Sequence, residues 1–353
     1  MGMRRFLALI ITLSFIALFP SVTALADTGS SPQTLTVEEA VQLALENRED
    51  VRTAQLNWDA AWINSDLAWE NAYMGYPDSI NQIYQTDYAV EAARTNYETK
   101  REAVEYSVYQ KYYAVVNALD DLDAQKLSQQ HAEEKLAVTE LRVQLGLDTR
   151  LALYQAQQQA VSARTNAAVA EQSLDNAYVS LLDYIGLAKD QRPELVRELT
   201  YQPLQIGDPE TKINDIVRKS PSVWLADRSL LLQELTRDNS ASLSGDLENI
   251  KQEQAEIAVI TSKDAMRQAT RSLYYNVLKM QESYETAVQG AKTADEALRV
   301  AKLLYEVGMG TKTDVTAAEI VAQSAHQAVN SLSYQHAILV MAFERPWIAG
   351  SSM

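Results

Sequence analysis

Four stretches of this chain place apolar or small residues at alternating steps of three and four. Val51, Ala54, Trp58, Ala61, Ser65 and Ala68 form the first. Leu153, Ala156, Ala160, Ala163, Ala167, Ala170, Leu174, Ala177 and Leu181 form the second. Val277, Met280, Tyr284, Ala287, Ala291, Ala294, Leu298, Ala301 and Tyr305 form the third. Val315, Ala318, Ala322, Ala325, Val329, Leu332, His336, Leu339 and Phe343 form the fourth. A seven-residue period held this long requires α-helices that supercoil left-handedly against a neighbour. Alanine at so many seam positions lets backbones approach closely but buries little area per residue. Stability must then come from length and from many neighbours.

The chain also repeats itself. Leu141–Arg150 resembles Leu304–Thr313, with Gly146 matching Gly308, Leu147 matching Met309, Thr149 matching Thr311 and Arg150 matching Lys312. Each segment follows a very long helical stretch and precedes an alanine-rich one. The spacing predicts helices over 37–47, 49–74, 79–145, 150–185, 212–219, 222–238, 246–306 and 312–345. At 1.5 Å per residue, 79–145 would span about 100 Å and 246–306 about 90 Å. Two shorter helices end to end would run beside each long one. The expected fold is therefore all-α, two tandem long coiled-coil hairpins. The first repeat is 27–188, the linker 189–209 and the second repeat 210–353. Thr36 with Glu39 and Thr311 with Asp314 read as capping boxes, and Gly146 and Gly308 as left-handed helix stops.

Arg4 and Arg5 precede an apolar run from Phe6 to Phe19, and Ala24-Leu25-Ala26 supplies the small residues a signal peptidase reads. Residues 1–26 are expected to be a signal peptide, which makes the chain exported. The 353 residues include no Cys, so stability cannot rest on disulfides. The formal net charge of −16 becomes −18 when two arginines leave with the signal. Nucleic acid and anionic lipid are poor partners for such a chain. Mean hydropathy is −0.24, which argues against an integral helical membrane protein.

Leu35-Thr36 followed by Glu39-Ala40, Leu43-Ala44-Leu45 and Asn47 resembles the opening signature of the TolC-like outer membrane efflux protein family. Tyr305–Val315 resembles the family's second hairpin tip and Leu145-Gly146-Leu147 its first. The resemblance covers nearly all of the mature chain. It implies a homo-oligomer, a trimer, whose twelve helical strands close around a water-filled duct. It also implies an extracytoplasmic adaptor at the tips and an inner-membrane transporter that supplies the energy. The location implied is the cell envelope, at the outer membrane or outside the cytoplasm of a cell that lacks one.

One departure is large. Family members insert β-hairpins between the helices at the upper end of each half. The corresponding places here, Ala72–Ser79 and Asp238–Asp246, are too short for two membrane-spanning strands of about nine residues each. A barrel-less exported duct, conducting passively, is the leading reading. A non-transporting structural coiled-coil protein of the envelope is the alternative. Arg48 also stands where the family often has Pro, a residue that Pro221 keeps in the second half.

The candidate site residues follow from the tips. Leu145, Gly146, Leu147, Val307, Gly308 and Met309 are expected to contact the adaptor, because exposed apolar turns call for a cover. Arg150, Lys312 and Asp314 are candidates for tip ion pairs, with capping the simpler role for Asp314. Asp120, Asp121 and Asp123 form an acidic cluster that would attract cations if it faced a lumen; a solvated face is the simpler reading. Tyr106, Tyr109, Tyr112 and Tyr113 are candidates for a subunit contact, with packing the simpler reading, and the seam residue His336 reads as packing. No nucleophile–base pair, phosphate loop or metal-ligand spacing stands out, so neither an enzyme nor a cofactor is expected.

Overall fold

The computed structural model describes residues 34–76, 79–197, 199–238 and 245–349. The expected signal peptide and the connection 239–244 lie outside the described residues. In chain order the elements are β1 (Thr34–Leu35), α1 (Val37–Asn47), α2 (Glu49–Tyr73), α3 (Ser79–Gln144) and α4 (Arg150–Ile185). They continue with β2 (Glu194–Leu195), α5 (Pro209–Lys219), α6 (Pro221–Asp238), α7 (Gly245–Glu306), α8 (Lys312–Glu344) and α9 (Pro346–Ala349). Every expected helix is present, with ends displaced by three residues at most. The two-residue strands and α9 are additions to the sequence reading.

Each half is built around its long helix. Helices α2 and α4 both pack along α3, and α6 and α8 both pack along α7. The 66 residues of α3 span about 100 Å. The alanine seam is the packed face: Ala156, Ala160, Ala163, Ala167 and Ala170 are all buried on α4. Thr36 accepts from the Glu39 N–H while Glu39 accepts from the Thr36 N–H, the reciprocal cap expected.

The helix breaks of the two halves correspond. Arg48 separates α1 from α2 with an extended backbone, and Ser220 separates α5 from α6 in the same conformation. Pro221 imposes the second break on the residue before it. At the first break no proline is present. Instead Arg48 holds Asp50 through two nitrogens, each at 3.0 Å, and lies over the Tyr184 ring. Gly186 ends α4 at φ 78°, and an added Cβ would come within 2.7 Å of Asn47. Asn47 needs that closeness, because its Nδ2 donates to the Ile185 carbonyl at 2.9 Å.

Large apolar side chains gather in a girdle about the middle of the molecule. Val104, Val108, Val115 and Val116 of α3 meet Leu181, Leu182 and Ile185 of α4 there, closed by Ala40 and Ala44 of α1. A second cluster joins Tyr106 to Ala342 and Ile348, and a third joins Ile216, Val277 and Phe343. The girdle thus supplies the burial per residue that the alanine seams lack.

The expected linker is part of this girdle. Strand β2 pairs in parallel with β1, Thr34 opposite Glu194 and Leu35 opposite Leu195. Three tyrosines hold it. The Tyr112 hydroxyl donates to the Leu35 carbonyl at 2.8 Å and lies 3.1 Å from the Val196 carbonyl. The Tyr178 hydroxyl donates to Pro193 and the Tyr334 hydroxyl to Arg197. Tyr113 stacks on Tyr334 with ring centroids 4.7 Å apart. Burial pushes the Tyr112 and Tyr334 phenols up to about 12.

His336 sits on its seam as expected, buried, with its ring 4.8 Å from that of Tyr201. Its Nε2 has no hydrogen-bond partner among the described residues. Burial lowers its pKa from the ordinary value of about 6.5. A histidine held neutral in the fold gives stability that is present above the unfolded value and lost as pH falls below it. The melting temperature should therefore decline between pH 7.5 and 5.5. His336→Leu should reduce that decline, as measured by thermal melts across the range.

Candidate functional site

Both hairpin tips are closed by the same local device. At the end of α3 the Gly146 N–H donates to Val143 and the Leu147 N–H to Arg142, at 3.0 and 2.8 Å. At the end of α7 the Gly308 N–H donates to Tyr305 and the Met309 N–H to Leu304, at 3.0 and 2.8 Å. These are paired Schellman bonds, which satisfy the last carbonyls of the helix. They require a left-handed residue, and Gly146 and Gly308 have φ of 73° and 76°. Thr149 and Thr311 then cap α4 and α8 by accepting from the N–H groups of Ala152 and Asp314.

The consequence is chemical. Backbone bonds close each turn without calling on the side chain that follows the glycine, and that side chain stands exposed. Leu147 is 65% exposed and Met309 79%, and Leu145 and Val307 are exposed beside them. Leu151 and Tyr154 extend the apolar patch onto α4. Lys312 pairs with Glu134 at 3.0 Å, joining the start of α8 to α3 about 15 Å short of its end. Both tips therefore lie at the same end.

The remaining charged candidates separate into distinct roles. Asp314 is a cap: it accepts from the Thr311 N–H at 2.8 Å and from the Thr311 hydroxyl at 2.7 Å, which holds its carboxyl below the usual range. Arg150 corrects the expectation, since it makes no ion pair among the described residues. It is the first residue of α4 and exposed, and the tip pair is formed instead by Arg142 and Asp148 at 3.3 Å. The last turn of α3 carries Arg142 across the closed turn to Asp148.

The acidic cluster is divided. Arg197 of the girdle segment reaches Asp120 at 3.3 Å and Asp123 at 2.9 Å. Burial raises the Asp120 carboxyl from its ordinary value, outweighing the pull of Arg197. Asp121 accepts from Gln125 one turn away. Among the described residues no group of three or more His, Asp or Glu could hold a metal ion. No described helix is long and apolar enough to cross a membrane.

The sequence reading missed the tyrosine-held segment that brings Arg197 to these aspartates. Its signal was the tyrosine pair at 112 and 113, which helical spacing alone cannot distinguish from ordinary core.

Solved structures share this arrangement. CusC superposes with a TM-score of 0.67 at 14% identity, covering 87% of this chain and 90% of CusC. This is the fold of the TolC-type channels. The Campylobacter jejuni CmeC outer membrane channel gives 0.64 at 15% identity, with 89% and 85% covered. The open Neisseria gonorrhoeae MtrE outer membrane channel gives 0.60 at 15%, with 88% of each chain covered. The outer membrane efflux protein family matches residues 80–187, which span α3 and α4. Among curated protein sequences none matches significantly. The resemblance to TolC-like proteins thus holds in sequence over the first hairpin and in fold over most of the chain.

The TolC-type fold here lacks room for barrel strands. Five residues separate α2 from α3 and six separate α6 from α7. A membrane-spanning strand alone needs about nine.

Proposed function

We propose that this chain is the exported subunit of a helical efflux duct. Three copies, each giving four helical strands, surround a water-filled axis through which substrates pass without chemistry. An extracytoplasmic adaptor covers Leu145, Leu147, Val307 and Met309 at the tips, and an inner-membrane transporter behind it supplies the energy. The two halves correspond to the repeats 27–188 and 210–353, exported by the signal peptide 1–26 into the cell envelope.

The TolC-type fold across most of the chain carries this reading. Physical chemistry supports it independently. Alanine seams on rods of about 100 Å give thin walls of helices rather than a thick core. Apolar side chains outside those seams stay exposed in a single copy: Leu56, Ile63 and Leu67 on α2, and Ile257 and Ile260 on α7. Such faces call for neighbouring copies. Asp120, Asp121 and Asp123 would face the lumen only with Arg197 beside two of them, so the wall there carries less negative charge than three free carboxylates.

The test is oligomeric state. Mass photometry and electron microscopy of the exported chain are expected to give three copies around a hollow axis. A compact monomer without a lumen would overturn the duct in favour of a structural envelope protein.

A further inference from the structure

We propose that the cleft between α3 and α4, behind the first tip, is a binding site for carboxylated oligosaccharides. Gln155, Gln158, Gln159 and Asn166 of α4 line it together with His131 and Lys135 of α3. Two serines and two alanines complete the lining, and the space measures about 690 Å³. Counting back from Gln144, His131 lies about 20 Å behind the tip. The volume falls within the range of small-molecule sites, but the walls are unlike most of them. No aromatic or large aliphatic side chain lines this cleft.

The lining groups are open to a ligand. None of the four carboxamides has a side-chain hydrogen-bond partner within the described chain. Each offers two N–H donors beside an acceptor oxygen. Neighbouring sugar hydroxyls present the complement, since each both donates and accepts. The Nδ1 of His131 is buried without a partner among the described residues. No protein bond at that atom fixes the tautomer, which leaves Nε2 to donate or accept. A hydroxyl suits either form.

Charge narrows the class further. Of the lining residues Lys135 alone carries a formal charge, and it makes no ion pair among the described residues. The adjacent acids are already engaged: Glu133 pairs with Arg164 at 2.7 Å and Glu134 with Lys312 at 3.0 Å. A chain of net charge −16 thus presents one unneutralised ammonium here, amid neutral hydrogen-bonding groups. That combination selects a single carboxylate on a ligand that is otherwise hydroxylated. Nucleic acid needs several cations, and an apolar solute needs apolar walls.

Two kinds of glycan outside the cytoplasm carry this chemistry. One is wall glycan with its lactyl carboxylates, and the other is a uronate polysaccharide in transit. The second source rests on the duct reading. The cleft itself belongs to one hairpin of one copy, so its binding is read without an assembled duct.

Isothermal titration of the exported full chain tests the site. The probes are a hyaluronan tetrasaccharide and N-acetylglucosaminyl-N-acetylmuramic acid, each against the chitin oligomer of equal length. At least one carboxylated probe should bind about tenfold tighter than its neutral counterpart. Lys135→Gln should erase that preference. Gln158→Ala with Gln159→Ala should weaken both members of the pair about tenfold. Gln157→Ala, exposed on the same helix but outside the cleft, should change nothing. Tighter binding of the muramic acid probe assigns the wall, and tighter binding of the uronate assigns a polysaccharide in transit. No binding of either carboxylated probe, equal binding of the neutral oligomers, a preference that survives Lys135→Gln, or an equal loss in the Gln157 variant would each overturn the site. Binding by a chain that stays monomeric would keep the cleft and sink the duct.

Discussion

Aspartate at both Leu147 and Met309 is expected to abolish export while leaving the melting temperature of the chain unchanged. Both side chains follow a glycine whose turn is closed by backbone bonds, with the Arg142–Asp148 pair added at the first tip, so neither contributes to the closure. Both are largely exposed, so a carboxylate there has no desolvation cost in the free chain. Surface changes of this kind stay within about 0.5 kcal/mol of stability. In the docked state the same carboxylates would be buried against the adaptor without a partner. Losing an interface hot spot costs about 2 kcal/mol or more, roughly thirtyfold in affinity. The pair should therefore eliminate adaptor capture in a pull-down and transport in cells. Capture at undiminished strength would remove the tips from the adaptor interface. The contrast with Gly146 and Gly308 is instructive: a valine at either would be strained by its positive φ, so the melting temperature itself would fall.

The sequence made some levels of this structure legible and hid others, for physical reasons. Helix boundaries were readable because the stop signals are local. A glycine that must be left-handed and a threonine that caps the next helix are set within a few residues, and Gly146–Thr149 and Gly308–Thr311 both obey this. The seams were readable because coiled-coil packing is periodic. The girdle was not. Its strands are two residues long, below any pattern length, and its clamps join residues as distant as Tyr334 and Arg197. Asp314 caps α8 as expected and Lys312 does pair, with Glu134, but the partners of the other charged groups were hidden for the same reason. Arg197 had no sequence feature tying it to Asp120 and Asp123, and Arg142 reaches Asp148 only because the Schellman turn folds back. Tip geometry was thus written locally, while charge pairing depended on the assembled fold.

The girdle's dependence on a single side chain gives the second large effect. Tyr112 is 1% exposed and is the one described side chain whose hydroxyl lies within hydrogen-bond range of both β1 and the segment after β2. Tyr112→Phe keeps the ring but removes the nearer donor to the Leu35 carbonyl, which then keeps only the longer bond from the Val196 N–H at 3.5 Å. That should cost about 0.5–1.5 kcal/mol, the net worth of one hydrogen bond. Tyr112→Ala also removes a ring that packs edge-on against Tyr113, which in turn stacks on Tyr334. Truncating a buried aromatic costs about 3–5 kcal/mol. Both losses should appear as a lowered denaturation midpoint in the order wild type, Phe, Ala. The location of the damage separates this account from a general loss of core. Beyond Tyr112 the tip-ward part of α3 is held by the alanine seam of α4, so amide protection near the tips should persist. Protection should collapse first across 189–208 and at β1, which pairs with that segment. If the arms and the girdle lose protection together, the girdle is not a distinct unit, and the clamp is ordinary packing.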